Sequence, residues 1–254
     1  MQMTQQSVAG VDWAGGEWIA VIFADGSYSE CILEYDFGSL WDEVPELDHM
    51  LIDVPIGLPS DQETLADRDA LNSLARSVTG RSSSVFPVPS RKACKQAYNG
   101  KPYETVAATN RDIIEKGLSK QSYQIASAIA EVDAFLQDND LLSETVVESH
   151  PEVCFRGLLG EQLRHSKQTA AGVGERFEAL DGHLDTPGTV FQTICRELSG
   201  KSTDATADDV IDALGLAVTA WRTRDDPKYL PQDPEYDAEG LPMQMVYWSE
   251  ELLA

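Results

Sequence analysis

The chain has 254 residues, of which 42% are hydrophobic, so it is long enough to bury the core of one elaborated domain. Asp and Glu total 43 residues against 19 Lys and Arg, and the resulting formal net charge of −24 would repel nucleic acid in ordinary buffer. No apolar run approaches the roughly 18 residues of a membrane helix, and the polar start of the chain lacks the order of a signal peptide, so we expect no membrane association.

The first part of the chain is predicted to form four strands. Apolar runs at 8–14, 18–23, 28–33 and 50–54 have the length and composition of buried strands. Asp25 and Gly26 lie between the second and third runs and make a favoured two-residue hairpin turn. We therefore expect the first three strands to pair antiparallel in succession.

Helices dominate the rest of the chain. Ser60 and Glu63 stand at the two ends of a capping-box pattern, which predicts a helix that begins at Asp61 and runs to about residue 77. Other helices are expected at 102–116, 120–137, 152–159, 174–180, 189–198 and 207–221, and a fifth strand at 144–148. Hairpins followed by crossover helices predict an α/β fold, a mixed sheet with helices on its faces.

The domain organisation follows from this order of elements. We expect one domain over 1–222, with a helical and basic insert at about 60–118. The segment 223–254 contains several prolines and is expected to be a C-terminal extension packed on that domain.

The cysteines and the acidic residues indicate the compartment. The four cysteines are widely spaced, without a C-x-x-C pair, which is typical of free thiols in a reducing cytoplasm. The acids are dispersed, whereas chaperone-like or histone-binding acidic proteins carry theirs in blocks. Molar salt shortens the Debye length to about 3 Å, which removes most of the self-repulsion. The composition therefore predicts a cytoplasmic protein of a salt-loving microbe.

One long stretch lacks acidic residues altogether. Between Asp69 and Glu104 there is no carboxylate, while six Lys and Arg residues fall inside. This pattern indicates either a surface that meets phosphate or a partly buried insert with a few solvated cations. The cations are Arg76, Arg81, Arg91, Lys92, Lys95 and Lys101.

Three aspartates stand alone in apolar surroundings. Asp12 lies in the first predicted strand, Asp53 ends the fourth, and Asp212 lies in a helix that is apolar almost all round. Each one by itself is explained by a hydrogen-bonded structural aspartate. A buried carboxylate is costly without a partner, however, and three of them would share one bound cation if they met at one site. Carboxylate ligands favour Mg2+ or Mn2+.

Four further residues are candidates for the same site. Glu148 ends the fifth predicted strand, and Asp209 lies one helical turn before Asp212, although a capping box with Thr206 explains Asp209 equally well. His150 is a candidate for moving protons or contacting phosphate, or is a satisfied structural histidine. Lys167 is a candidate for holding phosphate or orienting water, or is a solvated lysine.

Seven short segments together resemble a known family, the predicted ribonuclease-H-like nucleases grouped as domain of unknown function 429. The resemblance covers about residues 8–222 and includes the C-terminal helix pattern of Holliday-junction resolvases. The segments are VDWAGG at 11–16, IDVPIGLP at 52–59, RSSSVFPVP at 81–89, GLSKQ at 117–121, ESHPE at 148–152, SKQT at 166–169 and DDVIDAL at 208–214.

The resemblance implies a ribonuclease-H-like five-stranded sheet in the order 3-2-1-4-5, in a halophilic archaeal member of the family. In that fold the first and fourth strands are neighbours, which implies that Asp12 lies near Asp53 and that the last helix brings Asp212 to both. Resolvases often carry Glu where Asp53 stands in this chain.

We hypothesise hydrolysis of nucleic-acid phosphodiester bonds by two Mg2+ or Mn2+ ions about 4 Å apart. Asp12, Asp53, Glu148 and Asp212 are the expected metal ligands, with Asp209 and His150 as further catalytic candidates. The expected phosphate-binding residues are Arg81, Ser83, Arg91, Lys92, Lys120 and Lys167.

Three alternatives stay open. The first is a non-catalytic nucleic-acid or protein-binding module that kept the fold. The second is a phosphotransferase of the actin-like fold, for which the chain is short, and the third is hydrolysis of a small phosphorylated metabolite.

Overall fold

A computed structural model describes residues 6–44, 46–80 and 85–254 of the chain. The strands are β1 (Ser7–Trp13), β2 (Trp18–Ala24), β3 (Ser27–Glu34), β4 (His49–Ile52), β5 (Val146–Glu148), β6 (Lys228–Tyr236) and β7 (Pro242–Tyr247). The helices are α1 (Phe37–Glu43), α2 (Gln62–Thr79), α3 (Arg91–Tyr98), α4 (Tyr103–Ile114), α5 (Lys120–Asp138), α6 (Pro151–Leu159), α7 (Ala170–Asp181), α8 (Pro187–Leu198) and α9 (Ala207–Thr223), with a 3-10 turn at Asp140–Glu144.

The first five strands form one mixed sheet in the order β3-β2-β1-β4-β5. β1 and β2 pair antiparallel, as do β2 and β3, whereas β4 runs parallel to both β1 and β5. The α/β architecture and the strand order expected from the sequence are thus confirmed. The parallel strands have their carboxyl ends at one edge of the sheet, and the isolated aspartates of β1 and β4 fall there.

The predicted hairpin turn is present between β2 and β3. Asp25 and Gly26 have φ angles of 49° and 81°, and positive φ at both central residues is what a type I′ turn requires. This turn fixes the register of the hairpin, so that the β2 residues from Trp18 to Ile22 are fully buried in the core.

Helix α9 packs directly on the sheet, above all on β1. Most of its residues from Val210 onward are buried, as its apolar sequence predicts. At Gly10 of β1 a Cβ atom would lie 2.1 Å from the backbone N of Ala217 and 2.3 Å from the O of Ala213. The helix approaches this closely because residue 10 has no side chain, so Gly10 sets the distance between α9 and the strand.

Four elements were not expected from the sequence. Residues 36–48 were expected to be a loop and contain α1, and no helix was expected where α3 lies. The extension over 223–254 contains β6 and β7. Helix α2 begins at Gln62 with Asp61 as its N-cap, so the capping box pairs Asp61 with Thr64 and lies one residue beyond the predicted pair.

The described chain divides into two compact units. The first comprises the chain up to Asp53, residues 144–228 and residues 246–253, and it holds the five-stranded sheet with α6 to α9. The second comprises residues 54–143 and 229–245 with residue 254, and it holds α2 to α5 and most of β6 and β7. Among the described residues, we find no helix long and apolar enough to cross a membrane.

Candidate functional site

Two of the isolated aspartates stand at equivalent positions on neighbouring strands. In the parallel pairing of β1 with β4, Val11 lies opposite Ile52, and the N–H of Asp53 donates to the carbonyl of Val11 at 3.0 Å. Asp12 and Asp53 each follow one of these paired residues. Since side chains alternate along a strand, the two carboxylates emerge on the same face of the sheet at its carboxyl edge.

Asp212 joins them from α9, and the electrostatics show that the three carboxylates share one region. The pKa of Asp12 is raised well above its ordinary value by burial first, and then by the negative charges of Asp53, Asp212 and Asp209. Asp12 and Asp212 are 7% and 2% exposed, while Asp53 is partly exposed. The sequence expectation that these aspartates lie together agrees with this placement.

The pKa values of the other two aspartates are raised as well. Burial is the main cause for Asp53, opposed by the positive charges of His150 and Lys167. Burial also raises the pKa of Asp212, to about 6, although Lys167 lowers it through its charge and a hydrogen bond. Three carboxylates that repel one another in a poorly hydrated place favour a proton or a cation between them.

Lys167 supplies one such positive charge. It lies between α6 and α7, and its Nζ donates to Oδ2 of Asp212 at 2.5 Å. The lysine side chain is 40% exposed, whereas that of Asp212 is 3% exposed. Burial acts to lower the pKa of Lys167, but the carboxylates of Asp212, Asp12 and Asp53 raise it overall.

Glu148 and His150 lie at the end of β5, on the other side of β4. Glu148 stands opposite Ile52 and is 3% exposed, and the next residue, Ser149, donates its N–H to the carbonyl of Ile52 at 3.0 Å. The Nδ1 of His150 accepts the N–H of Glu152 at 3.2 Å, which makes His150 the N-cap of α6. His150 acts electrostatically on Asp53 and therefore lies beside it. Glu148 pairs with Ile52 and not with the position of Asp53, so its side chain leaves the opposite face of the sheet, and its expected place among the metal ligands is wrong.

Asp209 has a defined structural task. Its Oδ2 accepts the N–H of Thr206 at 2.7 Å and the hydroxyl of Thr206 at 2.8 Å, which completes the capping box of α9. Its charge still contributes to the raised pKa of Asp12. Asp209 therefore caps the helix and lies at the border of the carboxylate cluster.

The predicted phosphate-binding residues are in different environments. Arg91 is buried, and its guanidinium forms hydrogen-bonded ion pairs with Asp133 and Asp237, with which a phosphate would have to compete. Lys92 is exposed on α3, and the Nζ of Lys120 lies 3.2 Å above the ring of Tyr103. Two more of these residues, Arg81 and Ser83, lie outside the described residues.

The donor chemistry of the cluster fits a hard divalent cation. The buried Oδ1 of Asp212 has no hydrogen-bond partner among the described residues, and carboxylate oxygens are the ligands that Mg2+ and Mn2+ prefer. Over the same residues, no three or more His, Cys, Asp or Glu side chains are gathered as a ready-made metal site. The side chains are instead arranged as an ion pair, with Lys167 on the second oxygen of Asp212.

One comparison identifies the family. The family model described as "Protein of unknown function (DUF429)" matches residues 10–236, which is most of the chain. The chain belongs to this family. The comparisons with curated proteins and with solved structures gave no match, so DUF429 membership carries no activity to this chain.

Two supporting side chains of this DUF429 protein were not singled out from the sequence. Arg176 of α7 is 1% exposed, donates to the carbonyl of Gly172 at 2.8 Å and forms a buried ion pair with Glu152. Its charge lowers the pKa of Asp212. Glu17 is also buried, and its Oε1 accepts the N–H of Asp204 at 3.0 Å, which anchors the segment that leads into α9. No sequence signal marks either residue, because the partners Glu152 and Asp204 are 24 and 187 residues away in the sequence.

Proposed function

We propose that this protein hydrolyses nucleic-acid phosphodiester bonds with the help of divalent metal ions, on a ribonuclease-H-like sheet. The observation that carries the proposal is the cluster of Asp12, Asp53 and Asp212. Burial raises the pKa values of all three, and repulsion within the cluster raises those of Asp12 and Asp212 further. A purely structural cluster would be expected to hydrogen-bond every buried carboxylate oxygen, and Oδ1 of Asp212 lacks a partner among the described residues. Such an arrangement supports a cation-binding site.

The chain's own residues would hold the ions and the substrate. Asp12, Asp53 and Asp212 would be the metal ligands, and Glu148 is left out because the register of β5 directs its side chain to the other face of the sheet. When bound, Mg2+ or Mn2+ would supply Lewis acidity for attack on the phosphodiester. His150 lies beside Asp53 and would contact phosphate or move a proton, and Lys167 would contribute a positive charge for the phosphate.

Cations outside the cluster would contact the nucleic-acid backbone. We propose Lys92 and Lys120 for this role, because Lys92 is exposed on α3 and the ammonium of Lys120 is directed at an aromatic face that a base can also stack on. Arg91 is left out of this proposal, since its guanidinium is engaged by Asp133 and Asp237.

The net charge of −24 supports a second part of the proposal, namely work in the salt-rich cytoplasm of a halophilic microbe. Nucleic acid is a polyanion, so a protein of this charge would associate with it readily only where salt screens the repulsion. Activity assays therefore belong in molar KCl.

The test is a cleavage assay of the natural protein and of Asp12→Asn. Single-stranded and branched DNA and RNA oligonucleotides would be incubated with Mn2+ or Mg2+ in molar KCl. We expect cleavage of at least one substrate, and a loss of about 1,000-fold in Asp12→Asn, because a metal ligand supplies several kcal/mol to the transition state.

The matched control is Asp112→Asn, which removes one exposed carboxylate from α4 and should cleave like the natural protein. Retained cleavage in Asp12→Asn would contradict the assignment of the site. Metal-independent binding without any cleavage would favour the non-catalytic nucleic-acid-binding module instead.

A further inference from the structure

Lys167 and a divalent ion need the same carboxylate. The Nζ of Lys167 lies 2.5 Å from Oδ2 of Asp212, which is at the short end for a charge-assisted hydrogen bond. Asp12 and Asp53 attract the same ammonium. The ammonium of Lys167 thus occupies the place to which the negative charges of the three aspartates attract a cation.

The two cations exclude one another at close range. An ammonium and a divalent ion a few ångströms apart repel each other, and the repulsion is strong where water is scarce. The nearby guanidinium of Arg176 has little freedom to respond, because Arg176 is 1% exposed and is bonded to Gly172 and Glu152. Binding of a metal ion at Asp212 therefore requires a movement of Lys167.

Lys167 is built for such a movement. Its side chain is 40% exposed, and it belongs to the segment between α6 and α7. Within the part of the chain that the structure describes, its Nζ forms a hydrogen bond with Asp212 alone. A lysine stem has four flexible carbons, and the ammonium keeps its charge when it turns towards water. The route from the carboxylate cluster to solvent is thus open to this side chain.

We propose that Lys167 is the internal counter-cation of the metal-free protein, that a divalent ion displaces it from Asp212, and that the released ammonium then binds the substrate's phosphate. This inference rests on the metal dependence in the proposed function and adds an order of events to it. Metal binding would free a phosphate-binding group only when the hydrolytic site is loaded. In the metal-free protein Lys167 would instead stabilise Asp212.

The first arm of the test is calorimetric titration of Mn2+, without nucleic acid, into the natural protein and Lys167→Met. Removal of the competing ammonium should tighten Mn2+ binding by about tenfold, within the usual range of couplings between two ligands. Lys201→Met, which removes an exposed lysine outside the cluster, should bind Mn2+ like the natural protein. Equal or weaker binding in Lys167→Met would overturn the proposal.

The second arm uses the natural protein alone and does not depend on the folding of a variant. Brief labelling with acetic anhydride, read by mass spectrometry, reports how available each lysine amine is. Saturating Mg2+ should increase labelling of Lys167 by about tenfold relative to Lys201, since the amine leaves Asp212. Unchanged labelling of Lys167 at saturation would overturn the displacement.

The outcomes separate this inference from the proposed function. Tighter Mn2+ binding in Lys167→Met with increased labelling, but no cleavage of nucleic acid, would support the displacement and refute the hydrolysis. Cleavage of nucleic acid, with equal Mn2+ affinity of the two proteins and unchanged labelling of Lys167, would support the hydrolysis and refute the displacement. Absence of Mn2+ binding in both proteins would overturn the inference together with the metal dependence.

Discussion

At the scale of single residues, the carboxylate cluster lowers the folding stability of the metal-free protein at neutral pH. Asp12 is 7% exposed, and its pKa is raised by burial and by the charges of Asp53 and Asp212. A raised pKa means that the ionised carboxylate is less stable in the folded protein than in the unfolded chain. Sites that are kept for function often carry such a cost in stability.

This cost predicts a pH-dependent effect of Asp12→Asn on stability. Because the folded pKa lies above the ordinary value of 3.8, the contribution of Asp12 to stability is present below about pH 4 and is lost as the pH rises through the folded pKa. With EDTA at neutral pH, Asp12→Asn should therefore melt at a higher temperature than the natural protein. Each kcal/mol gained raises Tm by about 2–4 °C for a chain of this size.

Thermal melts in molar KCl, followed by circular dichroism between pH 4 and pH 8, measure this difference. It should shrink towards pH 4, and Asp112→Asn, with its exposed carboxylate, should show none of it. A lower Tm of Asp12→Asn at neutral pH would mean that the carboxylate stabilises the metal-free fold, contrary to this account.

The sequence predicted the isolated acids of the candidate site but not the partners of its cations. Asp12, Asp53 and Asp212 stand out because each is a charge within an apolar run, which is a local pattern. Arg91 is different, since its partners Asp133 and Asp237 are 42 and 146 residues away. An exposed and a buried arginine look the same in a basic stretch, because only the tertiary fold decides which carboxylates meet it.

At the scale of elements, the contact between β1 and α9 builds the candidate site. Asp12 belongs to β1 and Asp212 to α9, and Gly10 lets the two backbones approach each other. The Cβ of any other residue at position 10 would overlap with backbone atoms of Ala213 and Ala217, which cannot rotate away as a side chain can.

Gly10→Ala should therefore destabilise the protein and loosen the site. Overpacking typically costs about 1–3 kcal/mol, and we expect about 3 kcal/mol here because the overlapping atoms belong to a helix backbone. Urea denaturation in molar KCl measures the free energy of unfolding.

Gly16→Ala is the matched control for this substitution. Gly16 is exposed in the turn between β1 and β2, and a Cβ there would meet nothing within 4 Å. The control should unfold within about 0.5 kcal/mol of the natural protein. Equal stabilities of the two variants would show that α9 does not depend on the close approach at Gly10.

The elements that were missed depend on tertiary contacts. Helix α3 follows a segment rich in proline, its N-cap Ser90 makes no side-chain cap hydrogen bond, and it packs on α4 and α5. Strands β6 and β7 contain prolines that suggest an irregular tail, but a two-stranded sheet consists of edge strands, which accept proline. Local patterns thus predicted the strands of the sheet and the long helices, and they failed where packing decides. The order of the strands in the sheet was implied by the family resemblance.

At the scale of the whole molecule, net charge determines the conditions in which the fold is stable. A formal charge of −24 produces self-repulsion that destabilises any folded state at low ionic strength. The 19 Lys and Arg residues can neutralise at most 19 of the 43 acids, so the net charge of −24 stays uncompensated within the chain. Screening by salt is therefore expected to be part of the stability of this protein.

We expect the protein to lose structure on dialysis from molar KCl to low salt. Far-ultraviolet circular dichroism and thermal melts across a KCl series would record a Tm that falls as the salt is removed. EDTA in every sample separates screening from metal binding, and full stability at low salt would contradict a halophilic origin.

The central claim is that Asp12, Asp53 and Asp212 form one cation-binding site, and calorimetric titration of Mn2+ in molar KCl tests it most directly. The natural protein and Asp112→Asn should bind Mn2+, whereas Asp12→Asn and Asp212→Asn should each lose that binding, because ligands on two different elements hold the same ion. Unchanged Mn2+ binding in both Asp12→Asn and Asp212→Asn would show that the cluster is not the metal site and would contradict the account.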